Sequence, residues 1–298
     1  MGAWGAGLYQ DDSASDLKST ISLVSKVPAE GDRLLEILRA VQGNAGVDEE
    51  DECTFWLVIA DQFERRGITC PEAFATALSI IEDGRDLRRL EESGLDQRGL
   101  LKRTAILQEL AGRLRAPRPA RPRPRAGKPP AFFVDVGEIY AFPTMRGAAV
   151  NAWFETWEQA RFQPDGWGAL IVLQKGRAYD WLPWVSVASL TVGYEHCPSL
   201  EDALGARLLK HLQTDGAAKC VPKRSHIKRM KMQLLGRVQL DATKAAREVS
   251  TWSTESALEC GWSLSSAAFS NNIRGLPIGP FVADILEETA NKGMEPTR

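Results

Sequence analysis

Apolar residues recur at helical spacing through the first third of the chain. Further on they fall on alternate positions or in short unbroken runs, and that change of period divides the sequence. Leu17, Ile21 and Val24 form one helical stripe, and Leu34, Leu35, Ile37, Leu38 and Val41 a second. Ser13, with Asp16 three residues on, resembles a capping box at the start of the first stripe. The acids of residues 48–52 precede Phe55-Trp56-Leu57-Val58-Ile59. Negative charge in a first turn complements the helix dipole, and Gly67 offers a stop. Pro71 fits a first helical position ahead of Phe74, Leu78 and Ile81, Gly84 ends that helix, and 87–90 and 100–114 supply two more. The spacing predicts an all-α domain over residues 1–112.

Beyond residue 131 the signals change. Val134 to Pro143 has strand composition, with Pro143 closing it. Gly147 and Pro164-Asp165-Gly166 are turn signals, and Trp167 to Leu173 reads as a buried strand. Lys175-Gly176-Arg177 has the look of a hairpin tip, after which Trp184-Val185-Ser186-Val187 alternates again. A helix is expected over 200–212, a strand over 234–240 and a terminal helix over 281–290, with a polar tail behind it. The prediction is an α+β domain over 131–298, built on a curved antiparallel sheet with helices on its flank.

Residues 114–130 (LRAPRPARPRPRAGKPP) separate these halves. Proline fixes φ and removes a donor, so the run extends neither a helix nor a central strand. It reads as a solvated, polyproline-like spacer at 113–130. Residues 1–112 carry 21 acids against 12 bases, a net −9; residues 113–130 carry seven bases and no acid; the remainder is neutral, in keeping with the overall −2. The spacer could therefore lie along the acidic first half or bind nucleic acid nonspecifically.

The 44% hydrophobic and 26% charged composition is that of a soluble globular chain. No apolar run reaches the roughly 18 residues of a membrane span, and no signal peptide is evident. Five scattered cysteines without a Cys-x-x-Cys read as free thiols in a reducing compartment, so a cytoplasmic location is expected. No cofactor motif stands out, and the expected cofactor and metal content is none. His196, His211 and His226 lack the spacing of a helical metal pair. A hydrolase built on His196 or His226 would need a nucleophile that no elbow motif supplies.

Two surfaces are candidates for partner binding. In the basic segment 219–231, Arg224, Lys228 and Lys231 would share one face of a helix, beside a stripe of Ile227, Met230 and Leu234. That face is either merely solvated or a site for phosphate or an acidic partner. Seven of the nine tryptophans follow residue 131. They are either core or, where exposed, interface anchors. Asp180, Trp181 and Trp184, flanking Leu182-Pro183 in an expected loop, form the second candidate.

The opening Met1-Gly2-Ala3-Trp4-Gly5-Ala6-Gly7-Leu8-Tyr9-Gln10-Asp11-Asp12 resembles that of a bacterial family known only as domain of unknown function 4259, over about the first 115 residues. A Gly-Trp-Gly hook packed on the helices would anchor the chain start; phosphate binding at Gly5-x-Gly7 is the alternative, though Gln10 leaves the G-x-G-x-x-G pattern incomplete. The strand Gly137-Glu138-Ile139-Tyr140-Ala141-Phe142-Pro143 resembles the opening of the immunity protein 26 family. That resemblance implies protection against contact-delivered toxins. The resulting expectation is a non-catalytic, toxin-neutralising protein-binding protein, whose acidic first half would suit a basic toxin. The alternative is a nucleic-acid-associated protein using the Arg/Pro run and residues 219–231.

Overall fold

The structure is a computed structural model that describes residues 5–41, 49–123, 127–151, 154–211, 216–251, 263–273 and 278–288. Residue contacts divide the chain into two compact units, Met1–Pro129 and Pro130–Ala257 with Trp262–Arg298, apart from the undescribed 258–261.

The first unit is helical. Asp11, extended at φ −147°, accepts from the Ala14 N–H at 2.5 Å and opens α1 (Asp12–Val24). Ser13 thus lies inside the helix rather than capping it. Helices α2 (Gly31–Val41), α3 (Glu49–Arg66), α4 (Pro71–Asp83), α5 (Arg85–Glu92) and α6 (Gln97–Arg115) follow. Gly67 and Gly84 take φ of +67° and +69°, the left-handed geometry that ends α3 and α4. Ile21, Leu34, Leu38, Leu57, Ile59, Phe63, Ile80 and Leu110 are fully buried and make the core, with α3 packed on α1, α4 and α6.

Buried charges join these helices. Asp86 of α5 receives Arg103 of α6 at 2.7 Å, and both are buried. Asp61 and Glu64, one turn apart on α3 and each 1% exposed, share Arg113 of α6. Tyr9 donates its hydroxyl to Asp61, which ties residues 5–10 to α3. Burial opposes ionisation of Asp61, but hydrogen bonds from Tyr9, Arg113 and Arg65 outweigh it and hold the carboxyl below the usual range. The Gly-Trp-Gly hook is only half visible, since Trp4 lies outside the described residues. What is seen is Gly7 N–H donating to Gln10 Oε1 at 2.7 Å, with Ala6 and Leu8 buried.

The Arg/Pro run departs from a freely solvated spacer. Helix α6 extends to Arg115. Beyond it, Arg118 Nε lies 3.0 Å from Glu64, and Arg121 N–H donates to Gly67 O at 2.9 Å. The Arg123 guanidinium donates to the carbonyls of Ser25, Val27 and Ala29 at 2.7–2.9 Å. The run is strapped to the first unit, where its cations meet a buried acid and backbone carbonyls just past the end of α1. Three of the 21 acids of residues 1–112 are consumed the same way, since Asp61, Glu64 and Asp86 are all buried and paired with arginine.

The second unit carries a curled, half-barrel antiparallel sheet. Its strands are β1 (Glu138–Thr144), β2 (Gly166–Ala178), β3 (Leu182–Leu190), β4 (Arg207–Leu209), β5 (Ala218–Cys220), β6 (Gln233–Arg237) and β7 (Ile278–Phe281), in the order β6-β1-β2-β3-β4-β7, with β5 also on β3. Short helices α7 (Leu200–Leu204), α8 (Arg224–Arg229) and α9 (Ala242–Arg247) flank it. Tyr140, Phe142, Leu170, Val172, Val185 and Val187 point to one core with Phe162, Met230 and Leu264. Ile139, Ile171, Leu173, Ala188 and Leu190 point to another with Leu208, Leu240, Val282 and Ile285. Both faces are covered, so β3 is buried along its whole length.

Several local expectations give way to these contacts. Pro143 sits inside β1 opposite Trp167, beyond the last β6 pair, where its missing N–H costs no ladder bond. Lys175-Gly176-Arg177 is not a turn. Strand β2 runs on to Ala178, and the tip is Tyr179-Asp180, both left-handed at φ 51° and 55°. The helix expected over 200–212 stops at Leu204, because Gly205 follows and residues 207–209 are drawn into the sheet. Residues 278–285 form an edge strand and a single 3-10 turn rather than the start of a terminal helix.

Candidate functional site

Of the two candidate surfaces, the Trp pair is largely spent on packing. Pro183 and Trp184 belong to β3, not to a loop, and Trp184 is buried across Gly176 of β2. Its Nε1 has no acceptor among the described residues, and Lys219 Nζ lies 5.6 Å from the ring centroid. Only Asp180, exposed at the hairpin tip, and Trp181, half-buried beside it, remain near the surface. Trp153 lies outside the described residues.

The basic segment fares differently. Helix α8 is six residues long and ends with Met230, so the expected three-cation stripe is cut after Lys228. Lys231 follows in the left-handed region at φ 49°. Its ammonium is thereby turned toward Trp157, 3.8 Å from the ring centroid. Arg224 faces elsewhere, with its guanidinium 5.7 Å from the Phe133 ring. Of the apolar stripe, Ile227 and Met230 pack inward, but Leu234 stands 57% exposed on β6.

Around Lys231 the chain forms a cleft of about 440 Å³. One wall is Ser225, Lys228 and Arg229 of α8, with Lys231 beyond it; the other is Glu155, Thr156 and Glu158; Trp157 stands between them. Trp157 is fixed in three ways. Its indole N–H donates to Arg229 O at 2.7 Å, its ring meets Phe162 edge-on at 5.0 Å, and the Lys231 cation covers a face. Glu158 is fully exposed, and its carboxyl is held below the usual range by its own backbone N–H and the Thr156 hydroxyl, with the Lys231 charge adding to both. An aromatic floor between charged walls can hold a charged side chain or phosphate by ion pairing and stacking.

Sequence reasoning selected Lys228 and Lys231 and missed Glu155, Thr156 and Glu158. It grouped Trp157 with the other tryptophans without pairing it to a lysine 74 positions away. No periodicity links the two segments; they meet because residues 154–162 fold back over the core that also receives α8.

A second cavity of about 390 Å³ is lined by Tyr194, Glu195, His196, Cys197 and Asp202. Asp202 is engaged in the capping box that starts α7, with Ser199 N–H and hydroxyl on its carboxylate at 2.8 and 2.7 Å. Partial desolvation pushes the otherwise exposed Cys197 thiol up, away from the thiolate a nucleophile requires. His226 is buried in the core side of α8, and its Nδ1 has no partner among the described residues. His211 bonds the Ser266 carbonyl at 3.2 Å. Cys53, Cys70 and Cys220 are buried free thiols and Cys197 an exposed one, while Cys260 lies outside the described residues. Among the described residues no cluster of three metal-ligand side chains occurs, and no helix is long and apolar enough to cross a membrane. Comparison with protein-family models, with curated proteins and with solved structures finds no match to this chain.

Proposed function

We propose that this chain is a non-catalytic protein-binding protein of the toxin-neutralising kind, and that it holds its partner at the Trp157 cleft of the second unit. The observation that carries this reading is the exposed cleft itself, where an indole immobilised by Arg229 O and Lys231 stands between charged walls. Tryptophan is among the side chains that most often dominate the energy of protein interfaces. Phe154, 42% exposed, adds apolar surface next to Glu155 in the chain.

The nucleic-acid reading draws less support. The Arg118 and Arg123 guanidiniums are engaged within the first unit, and Glu155 and Glu158 would repel a phosphate backbone at the cleft. The test is binding of purified toxins encoded beside this gene, compared between the natural protein and a Lys228→Glu/Lys231→Glu variant. A complex of micromolar or tighter affinity that the variant loses is the expected result. A complex that survives the double change refutes the cleft as the contact site. Retarded DNA or RNA with no toxin bound would favour the nucleic-acid reading instead.

A further inference from the structure

The cleft walls are opposite in sign. Glu155 and Glu158 stand on one, Lys228, Arg229 and Lys231 on the other, and no ion pair among the described residues crosses between them, although the Lys231 charge reaches Glu158. The basic wall is set in advance. Lys231 is aimed by its left-handed backbone and held on the Trp157 ring, and the ring is held by Arg229 O. A side chain fixed before binding, as Lys231 is, loses little freedom on contact.

A purely anionic ligand would meet the two lysines and also the two glutamates. A purely cationic one would face the reverse problem. Only a ligand carrying both signs satisfies both walls, and like-charge contacts reject the rest. A cleft of about 440 Å³ has room for two long side chains but not for a folded element. The exposed Phe154, next to Glu155 in the chain, favours a ligand with apolar backing, as a protein segment has and a free ion lacks.

We infer that the cleft receives a partner segment bearing both an acidic and a basic side chain, the acid against Lys228 and Lys231 and the base against Glu155 and Glu158. This rests on the cleft being the contact site. The test uses the full chain with ¹⁵N-labelled tryptophan, the Trp157 indole signal being assigned with Trp157→Phe. Probes are an alanine-based helical peptide with Glu and Lys four positions apart, the same peptide with Gln in place of Lys, the same with Gln in place of Glu, and inorganic phosphate.

The mixed peptide is expected to move the Trp157 signal with an affinity about tenfold tighter than either single-charge peptide. Glu158→Gln should erase its advantage over the acid-only peptide while leaving acid-only binding intact. Lys231→Gln should weaken both, with circular dichroism showing the fold retained. Acid-only peptide or phosphate binding as tightly as the mixed peptide overturns two-signed recognition, as does the absence of any shift at millimolar peptide. Failure of the contact site itself is read separately, from toxin binding that survives the double lysine change.

Discussion

Gly176 of β2 lies opposite Trp184 of β3, and a β-carbon at that position would enter the indole ring. Trp184 is buried and has no room to retreat. Gly176→Ala should therefore destabilise the second unit by about 1–3 kcal/mol, the usual cost of overpacking, measurable by urea denaturation. The residue looks like a turn signal in the sequence because glycine marks both turns and close approaches, and only the partner strand tells them apart. His226 offers a second test. Burial, reinforced by the charges of Lys223 and Arg229, lowers its pKa to about 4 from the ordinary 6.5. The unfolded chain then binds a proton between those two values that the folded chain does not. Stability should be complete above pH 6.5 and fall, by an amount on the order of 2 kcal/mol, as the pH drops toward 4. Denaturation at a series of pH values checks this, and His226→Leu should flatten the slope.

At the scale of the element, the strap after α6 is held unevenly. Arg118 is half exposed, and Glu64 keeps Arg113 as a partner without it, so this pair should contribute less than about 1 kcal/mol. Arg123 binds three carbonyls with a charged donor, and such bonds are individually worth about 1.5–3 kcal/mol. Arg123→Ala should lower the stability of the first unit by about 1–3 kcal/mol and speed proteolysis between residues 116 and 129, whereas Arg118→Ala should do neither measurably. The sequence makes the strap recognisable as a run without acids. Its docking site is not recognisable, because Ser25, Val27 and Ala29 contribute backbone carbonyls, which carry no sequence signature. The helices were legible for the opposite reason: stripes such as Leu34, Leu35 and Leu38, with Gly67, Pro71 and Gly84 as punctuation, act through contacts within a few residues.

For the molecule as a whole, charge is redistributed by folding. The net −9 of residues 1–112 meets seven bases in the next 18 residues, so the first 130 residues carry a net charge of only −2. The acids that remain deepest are structural. Asp86→Ala would leave Arg103 buried without its partner, a loss of about 3–5 kcal/mol. Calorimetry should show the transition of the first unit lowered and that of the second unmoved. An equal shift in both would show that the two units unfold together. Steering of a basic partner by an acidic face, attractive from composition, is weakened by this internal neutralisation; the exposed charges of the Trp157 cleft are a better-placed alternative.

The sequence by itself determined the helical first part, the antiparallel second part and the change between them, because periodicity and punctuation are local properties. It also marked Lys228 and Lys231. Tertiary structure alone decided that Trp184 is buried and Trp157 only partly so, that residues 207–209 join a sheet, and that the arginine run lies against helices. Each of those outcomes depends on a partner distant in the chain, whose position exists only once the two cores have closed around the sheet and the helices have packed.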